Sequence, residues 1–211
     1  MKDKMNKFSV SLGLFDYINP IFYTITSITI MLNMFNVMDK PLYTLYIIGA
    51  IVSIIFGLTI PTVKVLVGLG KFSFKMPVNL VFYVNTGIYI SGLALLTYLF
   101  NISLFKFIFI ILFTLALLAL MLYKSKKFNT VAVLIGAFGY ILLYFSLINT
   151  SLIKALYLPL IMYIIAICLF IFLALVGIMS DLKNPRVHWV IEISNVLCQG
   201  LVAIATILLF K

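Results

Sequence analysis

The chain has 211 residues, of which 65% are hydrophobic and 9% are charged, and its formal net charge is +10. Soluble domains carry about a quarter of their residues as charged side chains, so this composition excludes a soluble enzyme, a nucleic-acid-binding domain, a disulfide scaffold and a disordered chain. We therefore predict a multi-pass protein of the cell membrane.

Runs of about 20 apolar residues, the length that a helix needs to cross a bilayer, predict seven membrane-spanning helices. The runs are too long and unbroken for the alternating strands of a membrane barrel. The predicted fold is all-α: one domain over residues 1–211, made of a bundle of seven transmembrane helices. In chain order the predicted spans cover residues 17–38, 42–63, 77–99, 104–123, 130–148, 155–179 and 189–210.

The positive charges predict the orientation of this bundle. Eleven of the Lys and Arg residues precede span one or lie in the loops after spans two, four and six, whereas the opposite side holds Lys40, Lys106, Lys154 and Lys211. Because positively charged loops stay in the cytoplasm, we expect a cytoplasmic amino terminus and an outer carboxyl terminus. The net charge then reflects topology and contact with anionic membrane lipid, and no nucleic-acid partner is expected.

Polar side chains within the apolar spans indicate a candidate ligand site, because in hydrocarbon they need a partner or a wet cavity. Glu192, Asn195 and Gln199 are three and four residues apart and share one face of span seven. Spans one and three carry similar rows, and Ser27, Asn85 and Gln199 fall at one middle depth at about 1.5 Å per residue. A cavity between spans one, three and seven would hold an uncharged or amphipathic ligand. The predicted ligand-binding residues are Tyr23, Ser27, Asn85, Tyr89, Asn195 and Gln199. The alternative is that these rows hydrogen-bond helices to one another.

A second candidate site is an ionisable cluster of Asp16, His188 and Glu192 near the cytoplasmic face. A carboxylate that orients an imidazole can make a general base, and Asp16 could complete a weak metal site. Interface residues are also often polar merely as anchors. The single histidine excludes three-histidine zinc and bis-histidine haem sites, and Cys168 and Cys198 are far apart. We predict no catalytic residue, no metal and no other cofactor.

Small residues at helical spacing predict close packing of spans two and five, since they let helix backbones approach one another. These residues are Gly49, Ser53 and Gly57 in span two, and Ala132, Gly136 and Gly139 in span five.

The favoured function is a membrane-embedded binding or transport protein, either a small carrier or the ligand-binding subunit of a transporter, with a small molecule or a lipid as ligand. One alternative is an integral-membrane enzyme that acts on a lipid at the cytoplasmic interface, with His188 as base or ligand. The other is a non-catalytic subunit or assembly factor whose polar rows contact a partner membrane subunit. The sequence leaves open whether the protein is an enzyme.

Overall fold

A computed structural model describes residues 10–71, 78–103, 106–112, 114, 128–179 and 185–211. All regular elements in these ranges are helical, which confirms the predicted all-α class. Residues 106–112 and 114 are also helical. The helices are α1 (Val10–Asp16), α2 (Ile18–Met34), α3 (Lys40–Gly68), α4 (Val78–Leu99), α5 (Phe128–Ile153), α6 (Tyr157–Met179) and α7 (Pro185–Phe210).

Among the residues that the structure describes, four helical ranges are long and apolar enough to cross a membrane, and a shorter apolar helix covers Tyr157–Leu173. Large apolar side chains also cover the outside of α6, where Leu158 is 60% exposed and Ile161 is 53% exposed. Such a surface is unfavourable in water and favourable in hydrocarbon. These features identify a membrane protein. The four ranges are Lys40–Gly68, Leu80–Leu99, Val131–Ile153 and Trp189–Phe210.

The first predicted span, 17–38, contains α2, and a separate helix, α1, precedes it and ends at Asp16, so the two helices are separated at Tyr17. Pro20 has no N–H group, so the carbonyl of Asp16 cannot accept the hydrogen bond that a continuous helix would supply from residue 20. Instead, the Tyr17 N–H donates to the Leu14 carbonyl over 3.3 Å in a tighter turn. The described helical region therefore includes residues before the predicted span and contains a break close to Asp16.

The second predicted span, 42–63, is shorter than α3, which continues to Gly68. The sequence boundary was set by the charge of Lys64. In the structure the Lys64 ammonium is paired with the carboxylates of Asp16 and Glu192, so its charge does not end the helix.

The chain forms two compact units. The first comprises Met1–Ile30, Gly57–Met76 and Ser151–Lys211. The second comprises Met31–Phe56 and Pro77–Thr150. The prediction of one domain over residues 1–211 stays a prediction.

In the first unit, α1 and α2 run antiparallel to α3. The Tyr17 hydroxyl lies 2.6 Å from Thr62 Oγ1, and further along α2 a Cβ atom on Gly57 would lie 3.4 Å from Pro20 Cβ. As the residue number rises in α2, the number of its partner in α3 falls. This order of contacts is that of an antiparallel helix pair.

Helix α7 of the first unit runs parallel to α2 and antiparallel to α6. Asn19 contacts Glu192, and further along both helices a Cβ atom on Gly200 would lie 3.2 Å from the Phe22 ring. Between α6 and α7, Tyr163 hydrogen-bonds Thr206 over 3.0 Å, whereas the later α6 residue Ala166 accepts a bond from the earlier α7 residue Cys198.

In the second unit, α4 runs antiparallel to α3. Ser53 Oγ donates to the Val84 carbonyl over 2.9 Å. A Cβ atom on Gly49 would lie 2.6 Å from the Gly87 carbonyl oxygen and 2.7 Å from the Ser91 nitrogen. The two backbones therefore approach each other closely at Gly49, as the spacing of small residues predicts.

Helices α4 and α5 of the second unit run parallel to each other. Asn85 donates to the Ala132 carbonyl over 2.8 Å near the start of both helices, and the rings of Phe100 and Phe145 stack 5.4 Å apart near their ends. The start of α5 therefore lies beside the start of α4.

Candidate functional site

Asp16, Asn19, Lys64 and Glu192 of the first unit form one buried polar group, which we name the charged cluster. Lys64 Nζ lies 2.5 Å from Asp16 Oδ2 and 3.1 Å from Glu192 Oε1. The exposed fractions of Asp16, Asn19 and Glu192 are only 8%, 8% and 9%. One ammonium group thus bridges two carboxylates that are largely removed from solvent.

The amide of Asn19 completes the hydrogen bonding of the two carboxylates. Its Nδ2 donates to Asp16 Oδ1 over 3.3 Å and to Glu192 Oε2 over 3.2 Å. Together with the two contacts of Lys64, each of the four carboxylate oxygens therefore faces an N–H donor. The other amide atom, Asn19 Oδ1, is buried and has no hydrogen-bond partner among the described residues.

Local packing fixes the helix ends that carry the charged cluster. Asp16 is the last residue of α1, and the break at Tyr17 places Asn19 three residues later in the first turn of α2. A Cβ atom on Gly13 would lie 2.9 Å from a side-chain carbon of Val65, so α1 and α3 are in close contact. On the other side, the ring of Phe15 lies 5.5 Å from that of Trp189 in α7.

The charges of the cluster do not cancel. In the fully ionised cluster, Asp16 and Glu192 contribute two negative charges and Lys64 contributes one positive charge, a net charge of one negative unit. Burial removes these groups from water, and an unbalanced buried charge is strongly unfavourable unless another group neutralises it. The arrangement is therefore able to attract a positively charged group.

The predicted ionisable cluster and the observed one share Asp16 and Glu192. His188 lies in α7 one turn before Glu192, but its side chain lies outside the described part of the structure. Sequence reasoning missed Lys64, which was assigned to a cytoplasmic loop, and it assigned Asn19 no role in binding. The apolar run Val-Leu-Val that follows Lys64 was the signal that the helix continues past this charge.

Four predicted ligand-binding residues belong to the first unit and continue from the charged cluster. On α2, Tyr23 and Ser27 follow Asn19 by four and eight residues, and both are buried. On α7, Asn195 is half-buried and Gln199 is buried, three and seven residues after Glu192. At helical spacing these residues lie on the same faces as the cluster residues that precede them. The exposed fractions of Tyr23, Ser27 and Gln199 are 6%, 1% and 4%.

The other two predicted ligand-binding residues, Asn85 and Tyr89, belong to the second unit. Both are half-buried and both have protein partners. Asn85 donates to the carbonyl of Ala132, and the Tyr89 hydroxyl donates to Thr114 Oγ1 over 2.9 Å. These contacts are of the kind that holds helices together.

A cleft of about 310 Å³ lies in the second unit and contains none of the predicted site residues. It holds one carboxylate, that of Asp39. The cleft is lined by Asp39, Leu42, Thr97, Tyr98, Leu99, Asn101 and Ile102.

Within the described ranges, no group of three or more His, Cys, Asp or Glu side chains could hold a metal ion. No known protein family, curated protein or solved structure matches the chain. The charged cluster is thus the feature of the molecule that points most directly to a function.

Proposed function

We propose that the protein is a seven-span protein of the cell membrane that binds or transports an uncharged or amphipathic small molecule. It would act as a small carrier or as the ligand-binding subunit of a transporter. The observation that carries this proposal is the buried charged cluster, from which polar side chains continue along α2 and α7. Ionisable groups among membrane helices are rare because they are unfavourable there, and they commonly mark the path of a substrate or an ion.

A purely structural role explains the charged cluster less well. Apolar side chains of similar volume hold helices together without the desolvation penalty of a buried ion pair, and their substitution for such a pair is often neutral or stabilising. The unbalanced charge of the cluster adds to this penalty. A function in binding gives a reason for keeping three ionisable groups in this position.

The parallel arrangement of α4 and α5 supports the proposed number of spans. Two parallel helices that follow each other in the chain agree with the proposed span four, 104–123, between them. The hydrogen bond from Tyr89 to Thr114 lies near the middle of α4 and of this predicted span. In the first unit, the parallel arrangement of α2 and α7 agrees with their proposed places as the first and seventh of alternating spans.

The proposed topology predicts that the two ends of α3 are on opposite sides of the membrane. Lys40 and Lys71 are both exposed, and the positive-inside rule places Lys71 in the cytoplasm. Lys40→Cys and Lys71→Cys are introduced separately into a chain carrying Cys168→Ala and Cys198→Ala. We expect an impermeant maleimide to label Lys40→Cys in intact cells. We expect it to label Lys71→Cys only after the cells are permeabilised. Labelling of both variants in intact cells would contradict the topology.

Native mass spectrometry of the protein, extracted gently with its surrounding lipid, tests the proposed function. We expect added mass from a specific small molecule or lipid, and Gln199→Ala should weaken its retention because loss of a buried hydrogen-bond partner costs about 1–3 kcal/mol. Lys71→Met, a change at an exposed residue, is the control and should leave retention unchanged. Equal retention by Gln199→Ala and the unaltered chain would remove Gln199 from the site. Added mass that consists of another polypeptide alone would favour the partner-subunit alternative.

A further inference from the structure

We propose that the charged cluster binds one alkali-metal cation, with Asn19 Oδ1 and the carboxylates of Asp16 and Glu192 as oxygen ligands. The inference deepens the proposed function. If the protein is a carrier, this cation would be its coupling ion, so that role rests on the proposed function. From the sequence, a weak metal site of Asp16, His188 and Glu192 was one interpretation but no metal was predicted, and Lys64 and Asn19 had no part in it.

The charge balance of the cluster favours a monovalent cation. Two ionised carboxylates and one ammonium group sum to one negative charge. Within the part of the chain that the structure describes, Lys64 is the one basic side chain within 4.0 Å of either carboxylate. One monovalent cation makes the buried group neutral, whereas a divalent cation would leave it with one positive charge.

The hydrogen bonding of the two carboxylates is compatible with a bound cation. Asp16 Oδ1 and Glu192 Oε2 face the amide nitrogen of Asn19, and the other carboxylate oxygens face Lys64 Nζ. Each of these contacts occupies one lone pair of its oxygen, so a second lone pair on each oxygen stays available to a cation. N–H donors stabilise the ionised form of a carboxylate, which is the form that binds a cation.

The amide oxygen of Asn19 is a buried acceptor without a partner in the described part of the chain and would be a neutral ligand for the cation. The residue is more than nine-tenths buried, and its Oδ1 has no partner among the residues that the structure describes. The nitrogen of the same amide bonds both carboxylates, so the oxygen belongs to a side chain that the cluster already holds in place. Carbonyl and carboxylate oxygens are the ligands that hard cations prefer, so a cation would satisfy the amide oxygen and the surplus charge together.

The helix break adds a backbone oxygen to the same place. Pro20 has no N–H group, so the main-chain carbonyl of Asp16 lacks its regular helical donor. Interrupted membrane helices use such carbonyls to coordinate Na⁺ in carrier proteins. The main-chain carbonyl oxygen of Asp16, next to the break at Tyr17, is therefore a further candidate ligand for the cation.

Direct binding of radiolabelled Na⁺ to the full-length protein in lipid nanodiscs, in choline buffer, tests the proposal. We expect saturable binding of one Na⁺ per chain that unlabelled Na⁺ or K⁺ displaces. Glu192→Gln keeps the shape of the side chain and removes the surplus charge, and Asn19→Ala removes the orphan oxygen. Each should weaken binding by at least about tenfold, the scale on which lost site interactions affect metal affinity. Asp39→Asn, the same type of change at an exposed carboxylate, should leave Na⁺ binding unchanged.

Two results would overturn the cation site: failure of the unaltered protein to bind Na⁺ or K⁺, and unchanged binding in both Glu192→Gln and Asn19→Ala. Size-exclusion elution of each variant shows whether it is folded. Retention of a small molecule on the same preparation separates the two proposals. A retained ligand without Na⁺ binding overturns the cation site alone, and Na⁺ binding without a retained ligand overturns the small-molecule function alone.

Discussion

Replacement of Lys64 by methionine is expected to destabilise the folded protein by about 3–5 kcal/mol. Methionine preserves much of the length of the side chain but leaves the carboxylates of Asp16 and Glu192 buried without their shared ammonium group. Two like charges then face each other in an environment that screens them poorly. The free energy of unfolding is measured by denaturant titration in detergent micelles, in a buffer that contains no alkali cation.

Two further variants test this explanation of the Lys64→Met effect. Lys71→Met removes the same charge from an exposed position and should change stability by less than about 0.5 kcal/mol. Adding Asp16→Asn and Glu192→Gln to Lys64→Met removes every charge of the cluster and should restore most of the lost stability. Equal stability of Lys64→Met and Lys71→Met would show that the charged cluster does not form.

Gly49→Ala is expected to destabilise the protein by about 1–3 kcal/mol, because a single methyl group enters a space that the backbone of α4 already occupies. Its Cβ would lie 2.6 Å from the Gly87 carbonyl oxygen and 2.7 Å from the Ser91 nitrogen. Backbone atoms cannot move aside as a side chain can, so α3 and α4 would have to separate locally. The same denaturant titration measures the effect.

Gly57→Ala is the matched control, since it makes the same substitution in the same helix. The atom nearest to its new Cβ is Pro20 Cβ at 3.4 Å, an ordinary van der Waals distance. Alanine also favours helix over glycine, so we expect unchanged or slightly higher stability for Gly57→Ala. If the two alanine variants are destabilised equally, the close approach of α3 and α4 at Gly49 is wrong.

The sequence predicted helix ends well where hydrophobicity and helical structure stop together. The predicted span 77–99 ends at the same residue as α4, Leu99, and the predicted span 155–179 begins two residues before α6, which starts at Tyr157. The prediction for α3 ended too early because Lys64 was treated as a solvated charge. Whether a charged residue ends an apolar helix depends on the partners of its charge. The partners of Lys64 are Asp16 and Glu192, which lie 48 and 128 positions away in the chain.

The candidate site was predicted in part. Asp16 and Glu192 were placed near the same face of the membrane from their positions in spans one and seven. Their contact through Lys64 and Asn19 depends on how α2, α3 and α7 are rotated against one another, which spacing along a single helix does not determine. The hydrogen bond from Asn85 to the Ala132 carbonyl could not be predicted from the sequence either, because every residue has a backbone carbonyl that can accept such a bond.

The large sequence separation within the charged cluster also orders its assembly during synthesis. Asp16 and Lys64 are made early, and they can enter the membrane together as a neutral pair on neighbouring antiparallel helices. Glu192 is separated from Lys64 by 128 residues, so at about 5–20 residues per second the ribosome delivers it roughly 6–26 seconds later. Helix α7 therefore carries the surplus negative charge of Glu192 into the membrane after α2 and α3. The Asn19 amide of α2 and the Lys64 ammonium group of α3 are then already present to bind it.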